Sequence, residues 1–369
     1  MSIDILRAAV SNAASAIAVT AELAPVSGNR IMPPTYATDG PFKHNATKPG
    51  PDGISNWCSV DAPGSCANRA EQALVGLGLD LDPLRVDFGN DGFLSTMQLP
   101  HRVFDAVLRD SQLAGVPFRS TDIGQAVIAA RPGDATALLH CDPGALLFGS
   151  WDSTGLGSGG RPRTKWARVM TAEISATRVE PVALAGNRLD PIGVEGTEYA
   201  WVEESDGTLR AATEAEMHPT KDGGLPQGGK AYPKLVRPSE VNHGNTVSLS
   251  PKGVLVHGDI TFNATLSLSR LRRYAFGTET EAGRLLLALM GLYGVLAVLN
   301  DGLDLRSGCE LAVNAFVVEL IGLGSRTPIT LTLAEVEEAL RAQVQTVNLH
   351  EPVMFTPSRG LLALRTASR

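Results

Sequence analysis

The chain has 369 residues, a formal net charge of −7, 43% hydrophobic residues and 19% charged residues. That composition excludes a disordered chain and supplies a large core, built as two domains or as one elaborated domain. The acidic balance excludes a generic nucleic-acid coat, so any such binding must come from a local stripe of cations; the 5% aromatic content leaves few platforms for stacking bases.

At the N-terminus, Asp4 sits early and Ser11, Asn12 and Ser15 interrupt the apolar run, unlike a secretory signal. The expected location is therefore the cytoplasm, with the four cysteines (Cys58, Cys66, Cys141, Cys309) reduced and buried. Alternation predicts a strand over 17–23. Residues 25–64 read as a long Pro/Gly-rich loop, too long for an ordinary connector. Ser65 is the expected N-cap of a helix ending near Gly76 and Gly78. Short strands are expected over 84–88 and 94–97, around Asn90-Asp91-Gly92. Two helices follow, over 100–112 with Val103, Phe104, Val107 and Leu108 on one face, and over 121–130 capped by Ser120 or Thr121. Residues 100–140 thus read as a helical insertion.

The segment ALLFGSWDSTGLGSGGRPRTKWARVMTAE, residues 145–173, combines a Gly-rich loop with Arg161, Arg163, Lys165 and Arg168. It has no acid between Asp152 and Glu173. Mobile backbone beside unopposed positive charge suits phosphate, although a solvated hairpin loop has the same composition. A long strand over 165–179 and a turn over 186–191 come next. Residues 218–238 hold Lys221, Lys230, Lys234 and Arg237 against one acid, Asp222, among glycines and prolines. A strand is expected over 254–268, with alternation at Leu255, His257, Asp259 and Thr261. The apolar run 285–299 is shorter than the ~20 residues of a spanning helix and reads as a core helix. A buried strand over 309–320 follows. A helix over 332–346 completes the series, with Thr332 and Glu335 in capping-box positions.

The run GLGSGG over 155–160 satisfies GxGxxG, but Arg161-Pro162-Arg163 and a strand-like run follow instead of a helix, so the dinucleotide reading is rejected. His140-Cys141 has no second Cys/His pair near it in sequence, and a metal site is not expected. Arg69 could hold phosphate bidentately, or simply be exposed beside Glu71. Arg270, Arg272 and Arg273, between a strand and a helix, either hold a nucleic-acid backbone or cover a surface.

Several motifs recur together and in order: SCANRAEQAL, DPGALLFGSW, GNRLDP, FNATLSLSRLRRYAFG and GLDLRSGCELAV. With them the chain resembles the backbone subunit of the type I-G (formerly I-U) CRISPR surveillance complex, of the RAMP superfamily. The resemblance spans about residues 16–320. It implies an α+β fold: an RRM-like (ferredoxin-like) antiparallel sheet palm with a helical finger insertion and a protruding thumb loop. Residues 1–369 would then be one elaborated domain, with 218–253 as candidate thumb and 25–64 competing for that role. It implies a non-catalytic subunit that oligomerises along CRISPR RNA, meets target DNA through guide pairing, and contacts other effector subunits. No cofactor, metal or membrane is expected. Carried onto this chain, Arg30, Asn68, Arg69, Arg161, Arg163 and Lys165 become RNA-backbone candidates. The strand 165–179 lacks the aromatic signature of a sequence-reading RRM, which fits backbone binding better than base readout.

Two other functions remain open from sequence. One is a CRISPR-RNA processing endonuclease of the same superfamily, with His44, His140 or His257 as general acid/base. The other is a nucleotide-dependent α/β enzyme using the Gly-rich loop, which requires a helix after Gly160.

Overall fold

The structure is a computed structural model and describes residues 2–12, 14–38, 43–152, 165–188, 201–204, 206–213, 216, 235–236 and 246–367. It divides into two compact units, Met1–Glu180 with Val254–Arg369, and Pro181–Gly253. In chain order the larger unit begins with α1 (Ser2–Ser11), β1 (Ala16–Pro25), β2 (Arg30–Ile31), β3 (Ser55–Asp61) and α2 (Pro63–Gly76). Next come β4 (Leu84–Asp87), β5 (Phe93–Ser95), α3 (Ala106–Arg109), β6 (Ser111–Leu113), β7 (Val116–Pro117), α4 (Asp122–Ala129), α5 (Thr136–Cys141), α6 (Pro143–Leu147) and β8 (Ser150–Trp151). The chain then gives β9 (Lys165–Trp166) and β10 (Met170–Arg188). The smaller unit holds β11 (Trp201–Glu203), β12 (Leu209–Ala211) and β13 (Leu235–Val236), which form a three-stranded sheet of order β12-β11-β13. The remainder is β14 (Thr246–Val256), β15 (Ile260–Ser267), α7 (Leu268–Leu271), α8 (Thr280–Asn300), β16 (Leu303–Arg306), β17 (Cys309–Gly322), β18 (Ser325–Pro328), α9 (Leu333–Val344), β19 (Val353–Pro357) and α10 (Arg359–Ala367).

The centre of the main sheet runs β17-β1-β15-β10, with each neighbouring pair antiparallel. Alternation decides its faces. Ile17, Val19, Ala21 and Leu23 of β1 are buried, as are Phe262, Ala264 and Leu266 of β15. In register beside them, Thr20 faces Asn263 and Glu22 faces Thr261. Asn263 in turn faces Glu173, and Thr265 faces Thr171. The open face therefore carries short polar side chains and carboxylates.

On the covered face, α8 packs against α2, α1 and α9. Every residue from Leu285 to Leu299 is buried, as a core helix requires. α8 is long and apolar enough to cross a membrane, but 83% of its apolar window is enclosed by the fold. Close approach of α2 depends on Gly294, where an added Cβ would lie 2.8 Å from the Ala70 Cβ. Each fully buried Leu or Phe on this face contributes about 1.5–3 kcal/mol.

A second sheet has the order β5-β4-β19-β6-β7. Its middle strand comes from near the C-terminus: β19 runs parallel to β4, with Phe355 opposite Val86, and antiparallel to β6. Phe355 is fully buried and meets Phe118 edge-on at 5.5 Å.

Most expected elements are present, with instructive differences. The early helix starts at Pro63 with Ala62 as N-cap, not at Ser65, because Pro at N1 already has the required φ. The helix expected over 100–112 is instead a 3-10 turn (Arg102–Phe104), the one-turn α3 and strand β6. Asp105 breaks it by capping α3, accepting from Val107 N at 2.9 Å. Arg102 sits at φ +53°, outside the helical region. The strand expected over 165–179 is divided into β9 and β10, and the one over 254–268 into β14 and β15. At that second break, a Cβ on Gly258 would lie 2.5 Å from Thr177 Oγ1. The 186–188 part of the expected turn belongs to β10, and 189–191 lie outside the described residues. The capping box of α9 has both of its reciprocal bonds. All four cysteines are free and buried, and burial pushes the Cys58 and Cys141 thiols up to about 12.

Candidate nucleic-acid interface

Residues 165–169, at the exit of the Gly-rich loop, are stitched to the β15–α7 junction. Ser267 N donates to Val169 O at 2.8 Å, and Tyr274 OH donates to Ala167 O at 3.2 Å. The Trp166 ring meets the Tyr274 ring at 5.5 Å, and Arg270 Nη1 donates to Arg168 O. Ser267 caps α7 by accepting from Arg270 N. The consequence is a cluster in which Lys165, Arg168 and Arg273 are exposed and Arg270 is half-buried. The flanking acids are already engaged: Asp152 with Arg119 at 2.7 Å, and Glu279 with His140 at 2.6 Å. Cations so placed, unopposed by carboxylates of their own segment, make a surface whose chemistry suits phosphate.

Not every cation here faces outward. Arg272 Nη2 donates to Ala14 O at 2.7 Å, and its Nη1 is buried. Arg284 donates to the Arg272 and Tyr274 carbonyls at 2.7 and 2.8 Å. These two guanidiniums hold the α7–α8 turn in shape; burial and the neighbouring Arg272 charge lower the Arg284 pKa.

The entry side of the loop is fixed by a buried network that sequence reading missed. Arg102 Nε donates to Glu71 Oε1 and its Nη1 to Gly149 O, both at 2.6 Å. Gly149 is at φ +82°, and an added Cβ there would lie 2.8 Å from Arg168 Cγ. Arg168 Nε in turn donates to Phe148 O at 3.2 Å. Burial pushes the Glu71 carboxyl up to about 7, against the pull of Arg102. Asp142, fully buried, is pushed up to about 6 by burial while the Arg102 charge opposes. It accepts from Val103 N at 2.8 Å and Ala145 N at 3.0 Å, joining the 3-10 turn to α6.

The other candidates lie on different elements. Asn68 is exposed on α2. Arg69 is held by Asp61 Oδ2 at 3.2 Å, Leu305 O at 3.0 Å and Asp304 O at 3.3 Å. Arg306 reaches the other oxygen of Asp61 at 3.2 Å, with Val60 O at 3.0 Å. Two guanidiniums thus clamp one buried carboxylate and tie β3 and α2 to β16. Arg30 is exposed on β2, opposite Leu255. Arg161, Arg163 and the glycines over 155–160 lie outside the described residues, as does the expected thumb over 218–253 apart from β13 and the first part of β14. His257 pairs with Glu180 at 3.0 Å, and His44 is fully buried. No group of three or more potential metal ligands occurs among the described residues. Residues 161–164 lie outside the described residues, and the chain after them holds strands β9 and β10 rather than the helix that the nucleotide-enzyme reading requires.

Residues 17–181 match the model of the family described as CRISPR-associated protein GSU0053 (Cas_GSU0053). The match supports a CRISPR-associated protein and covers less than half of the chain. It includes β1, α2, Lys165 and Arg168, and stops short of α7. No curated protein matches the chain.

Proposed function

We propose that this CRISPR-associated chain is the RNA-binding backbone subunit of a type I-G surveillance complex, a RAMP-superfamily protein that oligomerises along CRISPR RNA. The observation that carries the reading is the cation cluster of Lys165, Arg168, Arg270 and Arg273 beside the Gly-rich loop. Such a surface holds a strand by its phosphates and leaves base edges free for a target DNA strand. The order β17-β1-β15-β10, with α2 following β1 and α8 following β15, is that of a split βαβ palm and supports the RRM-like reading. Region 100–140 would be the finger and 218–253 the thumb. The open sheet face, with Glu22 and Glu173 exposed, repels phosphate, so the guide lies along the cluster and not across the sheet. The partners are guide RNA, further copies of the chain and other effector subunits in the cytoplasm. In this reading the subunit uses no cofactor and cleaves nothing.

Purification from cells carrying a CRISPR array tests this. RNA is expected to travel with the protein, raise its ultraviolet absorbance ratio and be shielded from added nuclease. The pure protein should leave precursor and target RNA intact with or without divalent metal. RNA-free protein, or cleavage abolished by His140→Ala or His257→Ala, contradicts the reading.

A further inference from the structure

We infer that Leu323, at the β17–β18 turn of one copy of the chain, seats in the groove between α4 and α5 of a second copy, joining the two head to tail. The contact deepens the RNA-binding reading above and rests on it. Two-residue hairpin turns favour Gly, Asn and Asp, yet Leu323 occupies this one beside Gly324 at φ +69°. The ladder carries it clear of the fold, with Gly322 facing Ser325 and Ile321 facing Arg326. Its relative exposure is 104%, the highest of any large apolar residue among the described residues.

The groove offers the complement. It measures about 520 Å³, and Ile123, Ala126 and Ala129 of α4 face Ala137 of α5 across it. Small apolar walls leave room for a leucine side chain and the glycines beside it. The rim is already fixed: Arg131 Nη1 donates to Ile128 O at 3.0 Å, His350 N donates to His140 O at 2.9 Å, and His140 pairs with Glu279 at 2.6 Å. Charge agrees as well. Asp134 is exposed on the rim, and the hairpin brings Arg326, whose side chain is 60% exposed.

Placement argues for a second copy as the occupant. Both halves of the contact are tied to the cation cluster. Ser15 N donates to Ile321 O at 2.7 Å, and Ser269 N donates to Ser15 O at 3.0 Å, which links the hairpin to α7. Ala275 N donates to Pro132 O at 2.9 Å, and Ala135 N donates to Ala275 O at 2.8 Å, which links α7 to the groove. Arg270 and Arg273 lie between Ser269 and Ala275, so copies joined hairpin to groove set their clusters on one strand. Knob and groove belong to different elements, so each copy keeps one free end and the row stays open. One side chain per contact is far below the area of a stable dimer. The contact therefore forms between copies already held on one RNA, where effective concentration is high.

The test uses the full-length protein and single-stranded RNAs long enough for one copy or for several. Leu323→Cys and Ala129→Cys are made as separate proteins, mixed, and treated with a short bismaleimide; the four native cysteines are buried and stay unreacted. The mixture on long RNA is expected to give a cross-linked dimer, several-fold above either protein alone or the mixture without RNA. Leu323→Asp and Ala129→Trp change exposed positions outside the core. Each should bind short RNA within a few-fold of wild type and lose cooperative filling of long RNA. Bound RNA without the cross-link overturns the contact and leaves the RNA-binding reading standing. So does equal cross-linking of either Cys protein with itself, or cooperative filling unchanged in both substitutions. Absence of RNA binding at low salt overturns both.

Discussion

Replacing Arg102 by Ala is expected to lower the stability of the protein by about 3–5 kcal/mol, as for other buried ion pairs that lose one partner. The side chains of Arg102 and Glu71 are 8% and 2% exposed, so water cannot replace the lost guanidinium. Three contacts go at once: the bond to Glu71, the bond to Gly149 O, and the stacking over the Phe148 ring at 5.6 Å. The Glu71 carboxylate is then left buried and unpaired. Asp142 loses the nearest positive charge that opposes its protonation. Arg102→Lys keeps the charge but not the fork that reaches two acceptors, and should fall between. An apolar pair, Arg102→Met with Glu71→Leu, should recover much of the loss, because the cost lies in the orphaned charge. Urea unfolding of the four proteins gives the comparison. A loss under about 1 kcal/mol for Arg102→Ala would mean that the pair behaves as a surface salt bridge.

Removing residues 352–369 is expected to unfold the second sheet while leaving the main one intact. β19 is the strand that β4 and β6 share, so without it each loses its inner neighbour. Phe355 is fully buried against Phe118, and a Phe→Ala change at such a site alone costs about 3–5 kcal/mol. Amide exchange should accelerate over 84–117, and β1, β15 and β17 should keep their protection, since their ladders involve nothing beyond Pro328. Phe355→Ala should do the same more weakly. Native protection over 84–117 in the truncated protein would contradict this account of the sheet.

These two sites show where sequence is a poor guide. β1, α8, β17 and the capping box at Thr332 and Glu335 are legible because their signals are local: alternation, an unbroken apolar run, a cap at fixed spacing. The β4–β5 hairpin was legible for the same reason, its turn carrying Gly89 and Gly92 at φ +68° and +79°. β19 was not, since three of its residues pair with a strand nearly 270 positions away and nothing local marks that partner. The segment 100–112 misled because Val103, Phe104, Val107 and Leu108 keep helical spacing through a 3-10 turn and one α turn alike. A buried Arg102 reads like any surface arginine. Likewise Arg69, Arg272 and Arg306 look like free cations in sequence, but Asp61 and backbone carbonyls occupy them. Of the candidate site, Lys165, Arg270 and Arg273 were legible as cations. So was Arg168, but that the four meet required the contacts of residues 166–169 with Ser267, Arg270 and Tyr274.

The salt dependence of RNA binding tests the central claim most directly. Wild type and the Lys165→Ala, Arg168→Ala, Arg273→Ala triple variant are titrated with single-stranded RNAs of unrelated sequence over a range of salt. All three positions are exposed, so circular dichroism should show both proteins equally folded. Backbone binding predicts similar affinities across sequences and a steep fall of log affinity with log salt. The slope should shrink in the variant by up to about two units, at ~0.7 per lost single-strand phosphate contact. A variant that keeps the wild-type slope, or a wild type indifferent to salt, would contradict the assignment of this cluster to RNA.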